Sequence, residues 1–183
     1  MALHRVSQRR RDPLYGAVTR LLAVSLTPVA ALVTPGRARH TACQWALTMR
    51  FPAEDLAGLT PQTRAAFEAA RSTALWRDGQ LLGLTSGYRS PAEQATVFAG
   101  RVERHGSVAA ALRWALPPDE SRHVTGLALD VRPAEGARWL EVYGARYGLY
   151  RTYDNEWWHF EYHPGGPPER LPNPGFAHAS SRT

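Results

Sequence analysis

"SRHVTGLALD" occupies residues 121–130 and sets a histidine and an aspartate seven positions apart around a glycine. Regular structure does not bring His123 and Asp130 together. Seven residues of helix separate Cα atoms by about 10.5 Å along the axis, and seven residues of strand by roughly 23 Å. A bend does, and Val124-Thr125-Gly126 supplies one, because glycine tolerates backbone angles closed to other residues. Beyond the bend, Leu127, Leu129 and Val131 alternate with Ala128 and Asp130. That pattern predicts a strand with one aliphatic face and one face carrying a carboxylate beside a small alanine.

A third piece lies in "NEWWHFEY" (155–162). Read as a strand, it turns Trp158, Phe160 and Tyr162 one way and Trp157, His159, Glu161 and His163 the other. His159 thus adds an imidazole that can meet His123 and Asp130. Two histidines and a carboxylate are a typical catalytic zinc set, with the fourth tetrahedral position left open. Glu156 would fall on the wrong face of a continuous strand, but the adjoining Asp154-Asn155 turn can swing it toward the same metal. A carboxylate there can carry a proton from water to a leaving amine. His163 shares a face with His159 but stands about 13 Å further along, too far for one tetrahedral site. His105 falls at a helix end, where capping explains it.

Around these stretches the punctuation predicts the remaining elements. Thr60-Pro61 opens a helix to about Arg77, and "GQLLGLTSG" (79–87) reads as a strand. Residues 90–106 begin with a capping box, Ser90 with Glu93. A short helix over 107–115, a helix over 134–148 stopped by Gly148, and two strands within 149–162 follow. Helices before and between strands make the class α+β. Of the six tryptophans, Trp76, Trp114, Trp139 and one of Trp157 and Trp158 fit apolar faces.

At 183 residues the chain carries a net charge of +6, with 22 arginines and no lysine. The basicity is local: residues 1–38 hold six arginines against one aspartate. The rest is nearly balanced, which argues against nucleic acid as a partner. Arg5 and Arg9-Arg10-Arg11 precede the apolar run "LLAVSLTPVAALV" (21–33), and small residues follow. That order is expected of a signal peptide or an N-terminal anchor. At 13 residues the run is short for a span of about 20. The organisation expected is leader 1–38, linker 39–50, catalytic domain 51–164 and a loose Pro/Gly-rich tail 165–183. Cys43 is the only cysteine, so no internal disulfide forms and the residue reads as incidental.

Three ordered blocks carry a family resemblance: "SGYRSPAEQ" (86–94), "SRHVTGLALD" (121–130) and "EWWH" (156–159). Together they resemble the VanY-type D-alanyl-D-alanine carboxypeptidases, zinc peptidases related to D-Ala-D-Ala dipeptidases and the hedgehog fold. The resemblance covers about residues 50–163. It implies a small antiparallel sheet flanked by helices, zinc on His123, Asp130 and His159, and Glu156 as the catalytic base. It also implies that Arg89 assists substrate binding or transition-state charge and that Gln94 and Ser121 contact substrate. "LPPDESRH" lacks the glycine that often precedes the motif's serine.

The reading that follows is an exported, monomeric zinc carboxypeptidase trimming a terminal D-amino acid from peptidoglycan stem peptides outside the cytoplasmic membrane. Its contact with a membrane would run only through an uncleaved leader. D,D- and L,D-specificity stay open. The rivals are a wall endopeptidase of the same fold and a zinc-stabilised binding module, and the presence of Glu156 argues against the second. At the substrate end the motifs place one cation, Arg89, which with Ser121 and Gln94 would close around a terminal carboxylate.

Overall fold

The computed structural model describes residues 2–176, with side chains from Pro13 onward. Two helices come first, α1 (Ala2–Val33) and α2 (Ala38–Arg50), then α3 (Pro61–Asp78) and strand β1 (Gly83–Ser86). Next are α4 (Pro91–His105), α5 (Val108–Ala111), β2 (Ala128–Arg132) and α6 (Ala134–Tyr143). A single 3₁₀ turn, Gly144–Tyr147, leads into β3 (Leu149–Arg151) and β4 (His159–Tyr162). The four strands form one sheet in the order β1-β2-β4-β3, every pair antiparallel.

Local chemistry sets the helix ends. The Thr60 hydroxyl accepts from the Thr63 N–H at 3.2 Å, and Gly79 closes α3 in the left-handed region at φ 64°. Ser90 and Glu93 form the reciprocal capping box of α4. The core lies between α3, α6 and one face of the sheet, where Leu129, Val131 and Phe160 meet Phe67, Leu82 and Leu140. With those faces turned inward, alternation turns Asp130, His159 and Glu161 to the opposite face. In the β2-β4 ladder Asp130 is the direct partner of His159, and Ala128 of Glu161. β4 begins only at His159. Glu156 therefore lies in the preceding turn, free of the strand alternation that would have turned it away.

Three regions depart from the sequence expectations. The stretch expected as a linker is α2, whose Ala42, Cys43, Ala46 and Leu47 are buried. It packs with Ala23 of α1 and Leu75 of α3 in a second apolar cluster. The apolar part of the first helix runs over Pro13–Val33, 21 residues, which by length and composition suffices to cross a membrane. The tail is docked rather than loose as far as Phe176: Leu171 bridges Tyr153 in parallel, and Arg170 pairs with Asp154 at 2.6 Å and Glu141 at 2.8 Å. Residues 177–183 of the expected tail lie outside the described residues.

Candidate active site

Gly126 makes the bend. Its φ is +69°, and an added Cβ would lie 2.4 Å from the Gly58 carbonyl oxygen, so only glycine fits. The turn closes through Gly126 N–H to the His123 carbonyl at 3.2 Å and Leu127 N–H to the Arg122 carbonyl at 3.1 Å. It brings His123 beside β2. One nitrogen from each histidine and a carboxylate oxygen of Asp130 all lie within 4.8 Å of one another, and all three residues are buried.

Both rings are oriented by their other nitrogen. Nδ1 of His123 donates to the Gly87 carbonyl at 2.6 Å, which leaves Nε2 facing Asp130 Oδ1 at 3.4 Å. Nε2 of His159 lies 3.1 Å from Glu161 Oε1, which leaves Nδ1 facing the same Asp130 oxygen at 3.1 Å. Such partners fix tautomer and ring angle at metal sites. The donor set fits zinc: two imidazole nitrogens and a carboxylate oxygen converge, each imidazole with its remaining nitrogen already engaged.

The electrostatics agree with a cation site. Burial pushes the Asp130 carboxyl up, but the two imidazoles outweigh it and hold Asp130 well below the usual carboxylate range. Burial opposes charge on His159, yet its bonds to Asp130 and Glu161 raise it to about 10. Glu156, with Oε2 3.9 Å from His159 Nδ1, is pushed up to about 7, first by burial and then by the charge of Asp130. A buried carboxyl whose proton affinity lies near neutrality suits proton transfer.

A cavity of about 80 Å³ opens over these groups. Ser121 is buried in its wall. Arg89 donates through Nε to Ser86 at 2.8 Å, through Nη1 to Gln94 at 3.2 Å and through Nη2 to Asp130. Gln94 reaches the cavity, but its amide is engaged within the chain: Oε1 accepts from Arg89 and Nε2 donates to the Leu116 carbonyl at 2.8 Å. These bonds hold Arg89 and leave Gln94 a second N–H and a second lone pair. The expectation of one cation is corrected, since Arg101 and Arg122 also line the cavity. Trp114, expected on an apolar face, stands at this wall 38% exposed. Sequence reasoning also passed over Glu161 and the Tyr153 ring stacked on His159 at 5.1 Å.

Comparison with known proteins fits this geometry. The sequence matches the family model VanY, D-alanyl-D-alanine carboxypeptidase, over residues 57–165. The chain belongs to the VanY family. It is a zinc metallopeptidase of the D-alanyl-D-alanine carboxypeptidase type, with Zn²⁺ as its cofactor. This chain is 29% identical to the vancomycin-resistance D,D-pentapeptidase VanY of the VanB-type cassette, solved with Zn(II) (TM-score 0.47, 56% of this chain and 69% of that one). It is 27% identical to the LD-carboxypeptidase LdcB (TM-score 0.46, 57% and 58%). It is 22% identical to the D,D-dipeptidase VanXYg, solved with a D-Ala-D-Ala phosphinate analogue (TM-score 0.50, 60% and 51%). No curated protein matches this chain in sequence.

Proposed function

We propose that this chain acts outside the cytoplasmic membrane, where it removes the terminal D-amino acid from peptidoglycan stem peptides. The observation that carries the reading is the convergence of His123, Asp130 and His159 beside a buried Glu156 in one cavity. His123 Nε2, His159 Nδ1 and an Asp130 oxygen would hold the zinc. Bound there, the ion supplies a Lewis acid for the peptide carbonyl and lowers the pKa of water. Glu156 takes the proton of the attacking water and returns it to the leaving amine. Three of the five N–H donors of Arg89 are engaged within the chain. The other two are available to the carbonyl oxygen as it gains charge. Ser121 contributes to the wall against the substrate, and Gln94 keeps Arg89 in register.

The catalytic unit is taken as residues 51–164, joined by the docked segment to 176. The first helix would serve as export address and then stay packed on the folded unit. Gly16 supports retention: an added Cβ there would lie 2.1 Å from the Gly79 carbonyl oxygen, so this helix lies directly on the end of α3.

Purified wall fragments incubated with the zinc-loaded chain test the reading by mass spectrometry. Pentapeptide and tetrapeptide stems, assayed in parallel, should show loss of a single terminal residue and reveal which bond is cut. Cleavage confined to internal bonds would replace this reading with the endopeptidase. Glu156→Gln should keep zinc and lose about 10²- to 10⁴-fold in turnover; half of wild-type activity would require another base.

A further inference from the structure

The first helix has two unlike faces. Gly16, Thr19, Ala23 and Ala30, spaced by three, four and seven positions, are buried against the folded unit. Leu14, Val18, Leu21 and Leu32 run down the opposite side, and each is more than half exposed. Val24 and Val29, exposed to a similar degree, widen this stripe. Its one hydroxyl, that of Ser25, donates to the Leu21 carbonyl at 3.1 Å and is satisfied without solvent. An apolar face of this length, left open on a folded chain, marks an interaction surface. Cations stand at its margins. At about 100° per residue, Arg20 falls on one side of the stripe and is exposed. On the other side the Arg50 guanidinium lies over the Tyr15 ring, 4.4 Å from its centroid. Arg50 also lines, with Arg132, a cavity of about 410 Å³ whose wall contains no carboxylate.

Length alone would let this helix cross a bilayer, but its packing does not. Gly16 lies on the Gly79 carbonyl near one end, and the Thr34 and Thr41 hydroxyls meet at 2.7 Å at the other. Crossing in this state would carry α2 and α3 into hydrocarbon as well, and with them the charges of Glu68, Arg77 and Asp78. Lying in the interface plane requires only the outer face to enter, to a depth of about 5–10 Å. A second copy of the chain fits the stripe less well. A coiled-coil seam uses two positions in seven, whereas the exposed apolar arc covers about half of the helix circumference. A second copy would also bring the same arginines. Residues 1–38 hold six of them against one aspartate, so the complementary surface is anionic.

We propose that α1 stays packed and lies in the plane of an anionic bilayer, with its outer stripe among the acyl chains and Arg20 and Arg50 at the headgroup phosphates. The folded unit is then held on the membrane surface without crossing it. This rests on retention of the first helix and not on the peptide chemistry. The full-length, zinc-loaded chain, sedimented with preformed vesicles, tests it. Vesicles containing phosphatidylglycerol should bind at least about tenfold more tightly than phosphatidylcholine alone, and high salt should narrow the difference. Leu21→Glu should weaken binding to both by about ten- to a hundredfold. Arg20→Gln and Arg50→Gln should each cost about fivefold on anionic vesicles only. Circular dichroism and a Cys43 thiol as slow to react as in wild type will show that the variants are folded. Alkaline carbonate should release the bound chain. Equal binding by folded Leu21→Glu, retention through the carbonate wash, or a wild-type chain that ignores vesicles and dimerises through this face overturns the proposal. Turnover of a soluble stem peptide, the same in all these variants as in wild type, is read separately. A wild-type chain that binds vesicles but releases no terminal residue overturns the peptidase reading instead.

Discussion

Glu161 touches two imidazoles at once, Oε1 at 3.1 Å from His159 and Oε2 at 2.9 Å from His163. Burial pushes its carboxyl up, but the bond and charge of His159, with help from His163 and Arg122, hold it below the usual range. It therefore stays an acceptor and keeps the Nε2 proton of His159 in place, so that Nδ1 remains free as the proposed metal donor. Glu161→Gln preserves shape but removes that charge. Zinc affinity should fall about 10- to 100-fold, the usual effect of removing such a partner, with secondary structure intact. A chelator-competition titration measures this, and equal affinities would mean that Glu161 does not orient the ring. The sequence placed Glu161 on the same face as His159 yet offered no reason to use it. A carboxylate two strand positions from a ligand lies about 7 Å away by backbone, and only the width of the ring closes that gap. Arg101 was illegible for another reason: nothing local distinguishes it from the other arginines, and only the folded chain brings it to the cavity.

Among the elements, legibility followed capping. α3 and α4 were bounded almost to the residue, because Thr60, Ser90 with Glu93, and the closing glycines act locally. α2 carries no such signal: Arg37 precedes it without a side-chain cap, and its buried face consists largely of small residues. Only α1 and α3, lying against it, make it a helix of the folded unit. That dependence is measurable at Cys43, which is fully buried where these helices meet and whose thiol burial raises in pKa. A chain cut after Arg37 should expose Cys43 and react with a thiol reagent at least about tenfold faster than the full chain under native conditions. Equal rates would show that the first helix is dispensable to the fold. The mature protein should likewise begin upstream of Arg39, and an N-terminus at Arg39 would favour the cleaved leader.

Across the whole molecule, the proposed metal donors come from the 121–126 turn, from β2 and from β4, so an ion there would tie together three separate stretches of chain. Only the folded state holds those donors together, and a ligand of the folded state stabilises it by mass action. At free zinc a thousandfold above the dissociation constant this amounts to about 4 kcal/mol. For a chain of this size that corresponds to a melting temperature lowered by roughly 8–16 °C on chelation. Calorimetric scans with and without chelator check it, and an unchanged transition would place the metal outside the folding equilibrium. The ladder between β2 and β4 carries this further. A slip of one position would set Trp158 or Phe160 opposite Asp130, and a slip of two would set Trp157 or Glu161 there. None of these supplies an imidazole. A chain that pairs its strands wrongly is thus unable to load the ion, and the ion proofreads the assembly of the sheet before any substrate arrives.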